Sequence, residues 1–165
     1  MPISKPPSTR APNKAELEAA EQWLTNINFD TANSIKYAWE AAVSADGDFA
    51  ADFYDNLFKA APAVIGLFAG DMTEQQGRLT HTLGETVALI AQPEHLLLLL
   101  RASGVRHHHY EVKHAYFGIM RDILIDTIAV RAGASFMPTH RAAWESLFDN
   151  MATIMRHGMA STARK

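Results

Sequence analysis

An all-α fold is predicted for this 165-residue chain by three observations. Apolar residues recur three and four positions apart through most of its length, and no stretch alternates as a half-buried strand does. The seven prolines fall in the opening segment or at junctions between apolar runs. The length suits one domain, with a core large enough to enclose a cofactor.

The elements follow in order. Pro2, Pro6, Pro7 and Pro12 make the opening stretch, to about residue 13, a flexible tail. Leu17, Ala20, Trp23, Leu24 and Ile27 stand against Glu16, Glu18 and Glu21, which predicts an amphipathic helix over about 14–27 in a segment reaching about residue 30. That segment is suited to packing on the core, to forming a homodimer or to holding a partner, and its acidic face argues against anionic membranes. Ile35, Trp39 and Ala42 predict a helix over about 31–45. Asp46-Gly47-Asp48 then supplies a turn and a cap before Phe49, with Phe53, Leu57 and Phe58 marking a helix over about 49–60.

Pro62 opens a short turn near 61–67, and Asp71, with Glu74 three residues on, starts a helix over about 72–91. Further helices are expected at about 94–107 after Pro93, at about 114–132, and at about 138–158 after Pro138 and Thr139. Residues from about 159 onward form a short tail.

Composition removes several function classes. Hydrophobic residues make up 48% and charged residues 20%, as in an ordinary globular protein, and the net charge of −3 offers no field for nucleic acid. The absence of cysteine removes disulfides, thiolate zinc sites and cysteine-ligated iron–sulfur clusters. Gly66, Gly70 and Gly77 lack the strand–loop–helix setting of a phosphate loop, and there is no repeat of 20–50 residues. No apolar leader opens the chain, and Leu96–Leu100 is too short to span a bilayer, so a cytoplasmic protein is expected.

The chemistry concentrates around Arg106-His107-His108-His109-Tyr110-Glu111-Val112, which follows an apolar helical run. Taken alone, the histidine triplet reads as a metal site, a charged helix end or a chance cluster. Other landmarks stand at set intervals. They are Trp39, then Phe53-Tyr54-Asp55-Asn56-Leu57-Phe58 ahead of Pro62, then Leu67-Phe68, Gln75 and Leu79. His107 follows with Val112 five residues later, and Ala143-Trp144 closes the series.

In this order and spacing the chain resembles the globin family over about residues 31–158, and within it single-domain bacterial globins related to flavohaemoglobin haem domains and neuroglobin-like proteins. The resemblance implies a three-over-three globin fold with an extra N-terminal helical segment, holding haem b, iron protoporphyrin IX. It gives His107 the role of iron ligand, through a neutral imidazole that leaves the opposite iron face open. It gives Phe68 the role of an aromatic packed flat on the porphyrin, and adds Leu79, Val112 and Tyr116 as haem contacts. Arg78 falls where it either pairs with a haem propionate or lies solvated on the surface.

Tyr54, Gln75 and Leu79 match the family's distal constellation, Gln75 and Leu79 sharing a helix face four residues apart. Without that spacing, Tyr54 would read as an ordinary buried phenol and Gln75 as a polar residue on an exposed helix. Two features depart from the family pattern: Ser103 stands one turn before His107 in place of leucine, and the stretch from Val112 to Tyr116 is one residue short. Glu111 and Tyr116 are expected to orient the proximal imidazole through its second nitrogen, while His108 and His109 read as a solvated helix end.

The implied function is reversible binding of dioxygen and other diatomic gases (NO, CO), in oxygen transport or storage, or in oxidation of nitric oxide to nitrate. With no flavin or nicotinamide module before Lys165, turnover would need a separate reductase, and no residue is assigned as catalytic. Two alternatives remain. One is a haem-based gas sensor acting on a partner through the N-terminal segment. The other is a di-metal helical bundle, for which Glu111-Val112-Lys113-His114 gives one Glu-x-x-His motif and His107 with Glu111 a pair four apart.

Overall fold

Capping side chains and prolines decide where the helices begin. In the computed structural model, which describes residues 10–165, α1 (Lys14–Thr25) starts on Asn13, which accepts from the Glu16 N–H while the Glu16 carboxylate accepts from the Asn13 N–H, both at 2.8 Å. Residues 1–9 of the expected tail lie outside the described residues. Asn28 caps α2 (Phe29–Ser44), Asp48 caps α3 (Phe49–Ala60) and Asp71 caps α4 (Met72–Ala88), each accepting from a backbone N–H two or three residues on. Proline opens the 3-10 turn Pro62–Leu67, α5 (Pro93–His109) and α7 (Pro138–Ala163), where its missing N–H costs nothing. Between them lies α6 (Tyr116–Ala132).

Several ends differ from the expected ones: α1 stops at Thr25, α2 begins at Phe29 and α6 at Tyr116, each two residues from its expected limit. α4 stops at Ala88 and tightens into a 3-10 turn over Leu89–Ala91 ahead of Pro93. α5 runs two residues further, to His109, and α7 reaches Ala163 because Met159, beyond Gly158, is buried against Phe117 and Ala152. Among the described residues there is no strand.

The helices form two layers, α2, α4 and α5 against α3, α6 and α7, and the heaviest packing is between α5 and α7. α1 lies outside this arrangement, burying Ala20 and Leu24 against α7 and α5, with Glu21 paired to Arg101 at 2.8 Å. The core centres on Phe53, Leu57, Leu96, Ile125, Ile128, Leu147 and Ile154. Each such side chain contributes about 1.5–3 kcal/mol on burial. Trp39 meets Phe49 edge-on at 5.0 Å and tilts against Trp144 at 6.2 Å, and the Trp144 indole N–H donates to the Ile35 carbonyl.

Two features hold the layers in register. Arg131 of α6, its side chain 5% exposed, donates to the carbonyls of Ala42, Ala45 and Gly47 and pairs with Asp52 at 2.6 Å. It thus closes the α2–α3 corner, where Gly47 takes a φ of +89°. At the α5–α7 crossing, Gly104 meets the Met155 backbone so closely that a Cβ there would stand 2.5 Å from the Met155 carbonyl oxygen. Among the described residues no helix is long and apolar enough to cross a membrane.

Candidate functional site

The α5–α7 crossing sets the position of His107, one turn beyond Gly104 on the same helix. The imidazole is half-buried, with its Nδ1 2.7 Å from the Ser103 carbonyl oxygen. A carbonyl only accepts, so Nδ1 carries the hydrogen and Nε2 keeps its lone pair. Burial pushes the pKa of His107 below its ordinary value; the bond to Ser103 opposes this and Arg106 adds to it. The result is a neutral ring of fixed tautomer.

Phe117 lies 6.1 Å from this ring and Tyr110 6.5 Å, centroid to centroid. The bond on Nδ1 therefore goes to Ser103, not to Glu111 or Tyr116 as the sequence led one to expect. Glu111 is exposed in the turn after α5 with a φ of +60°, the conformation that turns the chain there. Val112 returns an N–H to the His107 carbonyl and packs with Phe117, Ala152 and Met159. Tyr116, half-buried at the start of α6, packs on the main core with the Lys113 ammonium over its ring. His109 is exposed and His108 meets it edge-on at 5.7 Å.

A second group gathers where α3 meets α4 and the Pro62–Leu67 turn. Tyr54 is buried on α3, and its hydroxyl oxygen accepts from Nε2 of Gln75 at 3.0 Å. Around it stand Phe53, Phe58 and Phe68, at 5.1, 5.7 and 5.2 Å. Burial raises the Tyr54 pKa, partly offset by Gln75 and by Arg78, so the phenol keeps its proton at neutral pH. Leu79, one turn after Gln75, is half-buried against the core. The Arg78 guanidinium donates to Glu74 and to the Gln75 oxygen, both at 2.8 Å.

A family model described as Globin matches residues 51–155, from the first turn of α3 to late in α7. The chain belongs to the globin family. No curated protein matches it. The matched stretch contains Tyr54, Phe68, Gln75, Leu79, His107, Val112 and Tyr116, while α1 and α2 precede it.

As a globin the protein belongs to a haem-binding family, and its residues fit that group. His107 offers a neutral imidazole with a free Nε2 lone pair, the donor that haem iron takes, and its other nitrogen is already oriented by a backbone carbonyl. Phe68, Leu79, Val112 and Tyr116 are half-buried apolar or aromatic side chains, with Phe68 5.2 Å from the Tyr54 ring and Val112 bonded through its N–H to the His107 carbonyl.

The di-metal alternative does not survive this geometry. Among the described residues no three His, Cys, Asp or Glu side chains cluster as a metal site. Glu111 and His114 lie in the turn between α5 and α6, so Glu111 does not share a helix face with His107, and Nδ1 of His114 accepts from Arg156 at 3.1 Å. Three contributors escaped sequence reasoning: the Ser103 carbonyl, the Phe117 ring and the Arg78–Gln75 bond. Four-residue spacing signalled the first and three-residue spacing the last, because both pairs fall on one helix face.

Proposed function

We propose that this globin holds haem b through Nε2 of His107 and reversibly binds dioxygen, nitric oxide and carbon monoxide beside Tyr54, Gln75 and Leu79. The haem supplies an iron with one face open to a diatomic gas. The observation that carries the reading is the Gln75-to-Tyr54 hydrogen bond. Because Gln75 donates into the phenol oxygen, the phenol hydrogen remains available to a ligand that gathers negative charge. Phe53, Phe58 and Phe68 keep that donor in an apolar setting, where such a bond is strongest.

Two donors of this kind suit retention of dioxygen better than rapid delivery. They support a reaction in which nitric oxide, dioxygen and one electron give nitrate, the electron coming from a reductase. Tyr54 and Gln75 hold the reacting gas, and the residues assigned here transfer no proton. Kinship with single-domain bacterial globins, flavohaemoglobin haem domains and neuroglobin-like proteins rests on the Tyr54, Gln75 and Leu79 set. A cytoplasmic location is part of this reading, and the cysteine-free sequence is in keeping with a reducing compartment.

The deciding experiment is the ultraviolet–visible spectrum of the purified chain, supplied with haem, in ferric, dithionite-reduced and carbon monoxide states. A Soret band that moves through the three states at one haem per chain is expected. Absence of stoichiometric binding would overturn the assignment.

A further inference from the structure

Nothing in a carboxamide's shape distinguishes its oxygen from its nitrogen, so the partners of Gln75 decide which way it faces. On one side is Nη2 of Arg78 at 2.8 Å, and on the other the Tyr54 hydroxyl at 3.0 Å. A guanidinium has only donors, so the atom facing it must be the carboxamide oxygen, and the NH₂ is thereby turned toward Tyr54. With the amide reversed, NH₂ would face the guanidinium, donor against donor. The oxygen would then face Tyr54 and accept the hydrogen that the phenol otherwise offers to a ligand. The second arm of Arg78, Nη1, is held by Glu74 at 2.8 Å, so the guanidinium itself is tethered.

We propose that Arg78 is a positioning residue of the distal site: it locks the Gln75 carboxamide with its NH₂ toward Tyr54, and Glu74 holds Arg78 in place. The inference rests on the gas-binding reading of Tyr54 and Gln75 and adds to it a control on which hydrogen the ligand meets. Arg78 and Glu74 are 60% and 70% exposed, so the lock is screened by water and salt. An exposed pair of this kind biases the two amide orientations about two- to fivefold. Raising salt therefore loosens the distal donors without any change at Tyr54.

The test compares Arg78→Met, which keeps the apolar stem and removes the donors, with Arg78→Lys and Tyr54→Phe in the full haem-loaded chain. The carbon–oxygen stretch of the carbon monoxide adduct reads the hydrogen facing the ligand. Arg78→Met is expected to raise a higher-frequency band relative to the parent's main band by about two- to fivefold, as the size of the bias dictates, and to speed dioxygen dissociation. Arg78→Lys, still a donor, is expected to keep the parent's ratio of bands. A parent-like pattern in Arg78→Met alongside a shifted band in Tyr54→Phe overturns the role of Arg78 and leaves the distal reading standing. No shift in either variant overturns both. Faster haem loss with unchanged bands makes Arg78 a propionate partner and overturns the proposal. Should Arg78→Met not load haem, the Gln75 carboxamide protons decide by NMR of the full chain. The lock requires a slowly exchanging pair in the parent and fast exchange in the variant, and equal rates overturn it.

Discussion

Gly104→Ala tests the claim that the α5–α7 crossing sets the haem-side histidine. In a helix interior the exchange favours alanine by about 0.8–1.0 kcal/mol. Here the added Cβ would stand 2.5 Å from the Met155 carbonyl oxygen, whereas ordinary contact begins at 3.4 Å, an overlap of about 0.9 Å (3.4 − 2.5). The obstacle is the backbone of α7, so no rotamer change relieves it. The same Cβ would lie 3.1 Å from the Met155 Cα. Overpacking of this kind costs about 1–3 kcal/mol, and the rigid neighbour places it at the upper end. The net loss is about 1–2 kcal/mol, which lowers the melting temperature of a chain this size by about 2–8 °C. Because α5 must move away from α7, His107 moves with it, and haem dissociation accelerates. The assays are thermal unfolding by circular dichroism and haem transfer to a scavenging apoprotein. A melting temperature equal to or above the parent's, with unchanged haem transfer, would refute the reasoning.

Other outcomes follow from the same geometry. Tyr54→Phe deletes the phenol donor while keeping the ring packed among Phe53, Phe58 and Phe68, so dioxygen dissociation measured by stopped flow is expected to rise about 10- to 100-fold. An unchanged rate would remove Tyr54 from the distal role. His107→Ala is expected to abolish stable haem retention, whereas His108→Ala and His109→Ala leave the spectra near the parent's; loss confined to the His109 variant would show the ligand to be displaced by two residues. Burial, and then Arg156, hold the His114 pKa below its ordinary 6.5, so the unfolded chain takes up the proton first. The contribution of His114 is whole above about pH 6.5 and falls as the pH drops toward the folded-state value. His114→Gln, which keeps an acceptor for Arg156, should lose less stability than the parent between about pH 7 and pH 5.5 in denaturant titrations. Parallel losses would refute the assignment.

Local chemistry was legible where one residue settles it. The span of α3 follows from the Asp48 cap at one end and Pro62 beyond the other, and both expected limits coincide with the observed ones. α7 outran its expected end near residue 158 because Gly158 packs beside Gly104 of α5 and the helix continues to bury Met159. Resemblance to the globin pattern pointed to Tyr54 and Gln75, which the fold joins through a hydrogen bond. What lay beyond reach was orientation. That Ser103 would serve His107 with its carbonyl depends on a rotamer, and that Gln75 would be turned by Arg78 depends on a torsion no residue pattern encodes. Glu111 illustrates the same limit, since its left-handed φ is imposed by the short connection between α5 and α6.

Arg131 also bears on the order in which the chain can be completed. The carbonyls it satisfies belong to residues 42, 45 and 47, more than eighty positions upstream. On a ribosome, residues 1–130 of the 165 are joined before the side chain that finishes this early corner has been added. Until then the end of α2 has only water for those acceptors, so the N-terminal helices stay provisional and the fold matures late, when α6 arrives. A nascent chain stalled before position 131 should therefore remain open to protease at the Asp46–Asp48 corner, and one stalled well beyond it should not.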